Sequence, residues 1–265
     1  MILETLIDYL HEIAPNHFQE DYDNSGLLIG QSKDEIKGVL ISLDVTEKLI
    51  DEAISLGANV IVSHHPIIFS GLKRITGQNY VERIVQKAIK YDINLFAIHT
   101  NLDNIYSNGV NTHIAALLNI VNVEILKPKP GLAHQGQSVG SGVIGELEKP
   151  MDEMGFLKHL KATMKTETIK YTQLLNKDIK KVAICGGSGR FLLEDAKSQN
   201  ADIFISSDFK YHEFFDADNQ IVIADIGHFE SEQFTIQLLH EILSKNFNNF
   251  ALHYTKISTN PVNYL

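Results

Sequence analysis

Two adjacent histidines, His64 and His65, are the residues of this sequence whose types and placement most directly suggest chemistry. They follow a β-branched run, Asn59–Ser63, which predicts a short buried strand, and Pro66 stands directly after them. Neutral imidazole is the most common protein ligand for transition metals such as zinc. Proline restricts the preceding residue to an extended backbone and stiffens the turn. The pair favours a metal site at a strand end, although taken alone it also fits an ordinary surface loop.

Two further segments place an acidic residue four positions after a histidine. The pairs are His99 with Asp103 and His228 with Glu232, and each begins just past a predicted strand. On the first turn of a helix, residues four apart lie on one face. Two-metal hydrolytic sites hold their ions ~3.5–4 Å apart and need carboxylates that bridge them. The carboxylates therefore favour a two-metal site, with a plain helix-surface pair as the alternative for His228 and Glu232.

His99 and Asp103 are expected to have different roles. The sequence Asn101–Asn104 is typical of a loop, so the two side chains need not share a helix face. We take Asp103 as a metal ligand. His99 is the best candidate for a proton carrier or a substrate contact, and it could also orient a ligand through a hydrogen bond.

Three polar residues and one glycine-rich turn in the second half have more than one interpretation. Asp208 is the next candidate for a substrate contact after His99, followed by His212 and Glu213, but helix capping and a solvated helix surface explain all three equally well. Gly186–Gly189 follows a predicted strand and could bind an anion at a helix start. It lacks the Lys-Ser/Thr ending of a phosphate loop, and a tight strand–helix turn is the alternative.

The hydrophobic pattern predicts an α/β fold. Residues 2–13 carry apolar side chains at helical spacing, Gly38–Leu43 is typical of a buried strand, and 46–56 predicts a helix that ends at Gly57. Strands alternate with helices along the chain, which favours mainly parallel sheets covered by helices. Ligands of open parallel sheets bind beyond the carboxyl ends of the strands, where the candidate residues stand.

The second half of the chain repeats the pattern of the first. Residues 39–65 align without gaps on 182–208, and apolar positions meet apolar positions. Internal duplication is one interpretation, and a shared strand–helix–strand pattern is the other. The Gly- and Pro-rich stretch 127–145 predicts a linker. We therefore expect two related α/β halves, 1–126 and 127–265, with the metal site in the cleft between them.

The composition excludes several classes of protein. The chain has 265 residues and a net charge of −10 with neutral histidines, a surface that repels nucleic-acid phosphates. Its one cysteine, Cys185, excludes an intrachain disulfide and is typical of a reducing cytoplasm. No apolar run approaches the ~20 residues of a membrane helix, and Met1–Glu4 lacks the basic start of a secretory signal. We expect a cytoplasmic protein that binds neither membrane nor nucleic acid.

Four ordered motifs resemble the signatures of the Nif-three-like family, whose bacterial members are labelled GTP cyclohydrolase 1 type 2 homologs. They are Ser63–Pro66, His99–Asn104, Ser207–Glu213 and Gly227–Glu232, and the early Asp23–Leu27 and late Asn260-Pro261 also match. The resemblance covers nearly the whole chain. Its departures are Tyr22 in place of Trp, Ser206-Ser207-Asp208 in place of Thr-Gly-Asp, and Val143 in place of Arg. None of them removes a candidate metal ligand.

The resemblance implies a dinuclear metal site whose ligands are His64, His65, Asp103, His228 and Glu232. It also implies two related halves and a ring-shaped homohexamer with the metal sites facing an internal cavity. Some members carry an extra middle domain, for which this chain is too short. The ions would be two divalent metals per chain, with zinc, iron and manganese as the main candidates.

The leading hypothesis for function is a metal-dependent hydrolase. Five protein ligands for two ions leave coordination positions open, as in catalytic sites. A water that bridges two cations has a lowered pKa and supplies hydroxide near neutral pH. The family label suggests activity of the GTP cyclohydrolase type, but the residues themselves do not identify the small-molecule substrate. The alternative is a non-catalytic metal-binding or protein-interaction assembly protein.

Overall fold

The computed structural model describes all 265 residues, and its order of elements is that of an α/β protein. The helices are α1 (Leu3–Ile13), α2 (Glu47–Ser55), α3 (Tyr80–Lys90), α4 (Thr100–Asp103), α5 (Val110–Leu117), α6 (Glu153–Thr163), α7 (Leu193–Ser198), α8 (His228–Glu232) and α9 (Thr235–Asn246). The strands are β1 (Gly26–Ile29), β2 (Gly38–Ser42), β3 (Val60–Ser63), β4 (Asn94–Ala97), β5 (Ile120–His134), β6 (Gln137–Met151), β7 (Lys170–Tyr171), β8 (Ile179–Ser188), β9 (Ile203–Ser207), β10 (Val222–Asp225) and β11 (Ala251–Tyr254). The α/β class predicted from the sequence is confirmed. None of the helices combines the length and the apolar content that crossing a bilayer requires.

The chain forms two compact units. The first unit consists of Met1–Leu102 and Thr235–Pro261, and the second of Asp103–Phe234 and Val262–Leu265. The first unit contains a five-stranded sheet in the order β1-β4-β3-β2-β11, and the second a six-stranded sheet in the order β5-β6-β8-β9-β10-β7. The first unit is thus completed by a helix and a strand from the end of the chain.

The first sheet is mainly parallel and aligns the carboxyl ends of its central strands. β11, β2, β3 and β4 pair in parallel, and β1 alone is antiparallel. Ser42 pairs with Ser63, and Ser63 with Ala97, so the residues that follow β2, β3 and β4 emerge at one edge. Thr46 caps the start of helix α2, because its hydroxyl accepts from the amide of Leu49 at 3.1 Å. The polar residues after the three strands are therefore neighbours because of the sheet register.

The second sheet is built around the same parallel core. β8, β9 and β10 pair in parallel, as β2, β3 and β4 do, while β5, β6 and β7 add antiparallel ladders. The order strand, helix, strand recurs from β2-α2-β3 to β8-α7-β9, and a third parallel strand, β4 or β10, pairs next to β3 or β9. This recurrence agrees with two related halves.

The linker predicted over 127–145 is wrong, because these residues lie in the β5–β6 hairpin. Pro128 and Pro130 misled the prediction. They stand on β5, which is an edge strand of its sheet, and an edge strand tolerates proline because its outer amides have no ladder partner. The glycines of β6 admit close neighbours; a Cβ on Gly140 would lie 2.2 Å from the Lys127 carbonyl oxygen.

Candidate metal centre

His64 and His65 extend strand β3 by two residues. The amide of His64 donates to the Ser42 carbonyl at 3.2 Å, and that of His65 donates to the Leu43 carbonyl at 2.9 Å. The backbone therefore stays extended beside the end of β2. His64 is 0 % exposed, while His65 is half-buried. Their ring centroids lie 5.0 Å apart, so the two rings point toward a shared region rather than to opposite faces.

His99 joins this pair and completes what we call the histidine cluster, which consists of His64, His65 and His99. The centroid of His99 lies 5.2 Å from that of His64 and 5.3 Å from that of His65. One ring nitrogen from each histidine lies within 4.8 Å of the others, a spacing at which the three could hold a metal ion. The ring of Phe69 stands edge-on to His99 at 5.8 Å and forms an apolar wall beside the cluster.

Hydrogen bonds fix the tautomers of the first two rings. Nδ1 of His64 lies 2.9 Å from the carbonyl oxygen of Ile98, and Nδ1 of His65 lies 2.8 Å from Oδ1 of Asp44. A carbonyl or an ionised carboxylate only accepts, so Nδ1 carries the hydrogen in both rings. The lone pair of each neutral imidazole is then on Nε2, the arrangement found in metal-binding histidines.

His99 is held in the same way by Asp23, at 2.7 Å between Nδ1 and Oδ1. The Asp23 side chain is 0 % exposed and also accepts from Thr100, Ser25 and the amide of Asn24. Burial raises the pKa of Asp23, but the hydrogen bond and charge of His99 and the bonds from Thr100 and Asn24 outweigh it, so the pKa is well below its usual range. Asp23 therefore remains an anion behind His99.

Helix α4 corrects the loop expected at Asn101–Asn104. Thr100–Asp103 forms one helical turn. The Asn101 side chain accepts from the amide of His99 at 2.9 Å and donates to the Ala14 carbonyl at 2.7 Å. A short polar side chain that caps a turn from within is hard to distinguish from a loop residue in a sequence.

In the second unit, helix α8 brings His228 and Glu232 together. Nε2 of His228 lies 3.2 Å from Oε2 of Glu232, and its Nδ1 lies 2.6 Å from Oδ2 of Asp208. Burial lowers the pKa of His228, but hydrogen bonds to Asp208 and Glu232 and their charges outweigh this and raise the pKa to about 11. In the absence of a cation, the two carboxylates therefore hold a proton on this imidazole. The hydrogen bond from His228 also lowers the pKa of Asp208.

The glycine-rich segment that the sequence predicted as a turn lies at the end of strand β8, where its register shifts, and it has a steric role beside Glu232. Gly187 has φ of +62°, and a Cβ there would lie 2.3 Å from Oε1 of Glu232. The Gly187 amide donates to the Ser231 hydroxyl at 2.9 Å. Only a residue without a side chain fits between this segment and the carboxylate.

Asp103, the last residue of α4, lies near the same glycine-rich segment. The side chain of Asn111 donates to the Asp103 carbonyl at 3.1 Å and accepts from the Gly186 amide at 2.8 Å. Burial raises the pKa of the Cys185 thiol, and the charges of Asp103 and Glu232 raise it further. Both carboxylates therefore lie close enough to act on one thiol. Cys185 itself is buried, as expected for a small apolar residue.

The remaining candidates of the second half have plain structural contacts. His212 and Glu213 lie in a 3-10 helix, Tyr211–Ala217, where Oε2 of Glu213 accepts from the Lys210 amide at 2.8 Å. His212 is exposed and stacks against Phe215. Helix capping and a solvated surface, the alternatives left open by the sequence, describe these two residues.

Asp23 and Asp44 are the site residues that motif reasoning did not assign. Asp23 belongs to the Asp23–Leu27 motif, for which the sequence analysis assigned no role. Asp44 stands two residues after β2, as His65 stands two residues after β3. A search for every polar residue just past a parallel strand would have found Asp44, because ligands gather at that edge of such sheets.

Comparisons with known proteins agree with this picture. The family model described as Duf34/NIF3 (NGG1p interacting factor 3) matches residues 1–261. A Clostridium perfringens protein named GTP cyclohydrolase 1 type 2 homolog is 35% identical over 233 residues, which cover 88% of this chain and 87% of the relative. A Campylobacter jejuni protein of the same name is 33% identical over 266 residues and covers 100% of both chains. The crystal structure of a Staphylococcus aureus hypothetical protein has a TM-score of 0.90 at 30% identity, with 100% of this chain and 99% of that chain covered.

Proposed function

Because the chain belongs to the Duf34/NIF3 family, we propose that it binds two divalent metal ions and uses them to hydrolyse a small-molecule substrate. The proposed ligands are His64, His65, Asp103, His228 and Glu232. Relatives with at least a third of their residues identical carry the name GTP cyclohydrolase 1 type 2 homolog, which makes cyclic amides of nucleotides one substrate class to test first.

One observation carries this proposal: each of the four histidines of the proposed site donates Nδ1–H to an oxygen. The acceptors are Ile98 for His64, Asp44 for His65, Asp23 for His99 and Asp208 for His228. Such bonds fix the ring, place the acceptor lone pair of the neutral form on Nε2, and make that nitrogen more basic. Imidazole and carboxylate together suit zinc, iron and manganese. The donor set therefore fits divalent ions.

The residues of the chain have separable tasks in the proposed reaction. Divalent ions bound to these residues would supply Lewis acidity and a water of lowered pKa. The carboxylates of Glu232 and Asp103 would hold the ions together with the histidines. Asp23 keeps the Nε2 lone pair of His99 directed toward the histidine cluster, so His99 is placed to accept a proton or contact the substrate.

The test is a metal analysis coupled to a substrate screen. Wild type is loaded with zinc, iron or manganese, metals per chain are counted, and phosphoesters, nucleotides and cyclic amides are screened. Asp103→Ala is expected to lose metal and activity together, while Asp178→Ala, an exposed acid in the same unit, is the matched control. Fewer than one metal per wild-type chain at saturation contradicts the proposal. Full metal content with no turnover on any substrate supports the non-catalytic alternative instead.

We also propose a ring-shaped homohexamer, on the basis of family membership. A native mass six times the 29.7 kDa chain is expected in sedimentation equilibrium. A monomer at micromolar concentration contradicts this assembly.

A further inference from the structure

The C-terminal segment, defined here as Thr255–Pro261, reaches the histidine cluster through one aspartate. The hydroxyl of Thr259 donates to Oδ2 of Asp44 at 2.6 Å. The other oxygen of Asp44, Oδ1, accepts from Nδ1 of His65 at 2.8 Å. Thr259, Asp44 and His65 all belong to the first unit. A continuous chain of hydrogen bonds therefore joins the end of the sequence to a proposed metal ligand.

The segment arrives at Asp44 because of how the sheet is completed. Strand β11 pairs in parallel with β2, and Tyr254 lies opposite Ile41. The amide of Thr255 then donates to the Ile41 carbonyl at 2.9 Å, and the Thr255 hydroxyl donates to Oε2 of Glu52. Two different anchors thus hold the segment. Thr255 fixes its start on Glu52, and Thr259 alone of the two contacts Asp44.

Asp44 depends on support more than the other partners of the cluster do. The partner of His64 is a backbone carbonyl that the β4 strand end holds in place. Asp23, the partner of His99, is fully buried. The side chain of Asp44 is 35 % exposed, so water competes for its oxygens and its rotation is less restricted. A hydroxyl bound to Oδ2 restrains the carboxylate plane and keeps Oδ1 directed at His65.

We propose that Thr259 and Asp44 are positioning residues that set the affinity of His65 for a divalent ion, an inference that rests on the proposed metal-binding function. Docking of the C-terminal segment orients Asp44, and Asp44 orients His65 and fixes its tautomer. The segment is thereby part of the metal site although it supplies no ligand. The Asn260-Pro261 signature, which the sequence left without a role, directly follows the residue that makes the contact.

Four variants of the full chain test whether Thr259 acts on His65 through Asp44. Asp44→Asn removes the charge but keeps the shape. Thr259→Val removes only the hydroxyl, and Thr259→Ser restores it. Thr255→Val is the matched control, because it weakens the other anchor of the same segment without contacting Asp44. Zinc affinity is measured by competition with a chromophoric chelator, and stability by urea unfolding.

The expected result is a graded loss of affinity. Removing the partner of a metal-binding histidine typically weakens binding by about 10- to 100-fold, which is the expectation for Asp44→Asn. Thr259→Val is expected to weaken zinc binding by about 3- to 10-fold, the effect of one hydrogen bond. Thr259→Ser restores the wild-type value. Thr255→Val lowers stability and leaves the zinc affinity unchanged.

A second measurement, on metal-free protein, tests whether Thr259 and Asp44 fix the tautomer of His65. Nitrogen-15 spectra of the His65 ring in metal-free protein are expected to show Nδ1–H in wild type and a mixture of tautomers in Thr259→Val. Wild-type tautomer and affinity in Thr259→Val overturn the proposal. An equal loss of affinity in Thr255→Val also overturns it, because the segment would then act through stability alone. If wild type binds no zinc, the proposed function fails, while the tautomer spectra still confirm or reject the positioning of His65.

Discussion

Oδ2 of Asp208 lies 2.6 Å from Nδ1 of His228, which ties the end of strand β9 to the first residue of helix α8. Asp208 has φ of +61°, a left-handed conformation that aspartate tolerates better than most residues. Its carboxylate is turned toward the imidazole. The sequence predicted Asp208 as a group that contacts the substrate, and the hydrogen bond shows that its carboxylate contacts His228, a proposed metal ligand.

Asp208→Asn is therefore expected to weaken metal binding without removing a ligand. The amide can still accept from Nδ1, but it lacks the charge that makes Nε2 a better donor to a cation, so a loss of about 10- to 100-fold is expected. Isothermal titration with manganese measures it. Asp178→Asn, an exposed carboxylate in the same unit, controls for net charge. Unchanged affinity in Asp208→Asn would assign Asp208 to another role.

Asp23→Asn is expected to destabilise the first unit. The side chain is buried and satisfies donors from His99, Thr100 and Ser25, and an amide cannot accept from all of them. A loss of about 2–4 kcal/mol in the free energy of unfolding is expected from a broken buried network. Urea denaturation measures it, with the exposed neighbour Asp21→Asn as control. Equal stability of the two variants would show that the hydrogen bonds of Asp23 do not stabilise the first unit.

Gly187→Ala tests the steric fit beside Glu232. Alanine at φ of +62° costs about 1–2 kcal/mol in any protein, and here its Cβ would also displace the Glu232 carboxylate. Gly136→Ala is a matched control, because Gly136 has φ of +77° with nothing within 4 Å of the added Cβ. Both variants lose stability, but only Gly187→Ala is expected to lose bound metal. Equal metal content in Gly187→Ala and Gly136→Ala would contradict the close steric fit of Gly187 beside Glu232.

The contacts of Asp202 in the second unit predict that the stability of the protein depends on pH. Its carboxylate accepts from the amides of Lys180 and Lys181 at 2.9 and 2.7 Å and pairs with Lys177. Burial raises the pKa of Asp202, but the bonds from Lys181, Lys177 and Lys180 outweigh it, so the pKa is lowered. A lowered pKa means stability that is present above the ordinary carboxyl value and lost as the pH falls.

Asp202→Asn is accordingly expected to cost about 1–2 kcal/mol at neutral pH. The difference from wild type is expected to be smaller at an acidic pH below the ordinary carboxyl range, because the native carboxyl also becomes neutral as the pH falls through its lowered pKa. Urea unfolding at both pH values measures this. A difference that does not change with pH would show that the charge of Asp202 contributes nothing.

The strand-end position of His64 and His65 could be predicted because its causes are local. A β-branched run and a proline stand within a few residues of the pair. The four-residue spacing that puts His228 and Glu232 on one helix turn is likewise a local signal. The partners that orient the rings are different. Asp23 is 76 positions from His99, and Thr259 is 215 positions from Asp44. Such bonds follow from the pairing of strands, which a local pattern does not encode.

The fold class could be predicted from the sequence, whereas the edge strands and the short helix α4 could not. Buried parallel strands have continuous apolar runs that are visible in a sequence. Edge strands such as β5 combine proline, glycine and lysine, which also typify linkers, so 127–145 was misread. The short helix α4 was missed because Asn101 bonds both the amide of His99 and the carbonyl of Ala14, a residue far away in the sequence.

The discontinuity of the first unit has a consequence for biosynthesis. Strand β11 and Thr259 leave the ribosome after residues 103–234 of the second unit, which are continuous in the sequence. Domains fold as units during synthesis as their residues emerge. The second unit can therefore fold on the nascent chain while the first still lacks an edge of its sheet. The hydrogen bond between Thr259 and Asp44 can therefore form only after residues 103–234 have been synthesised.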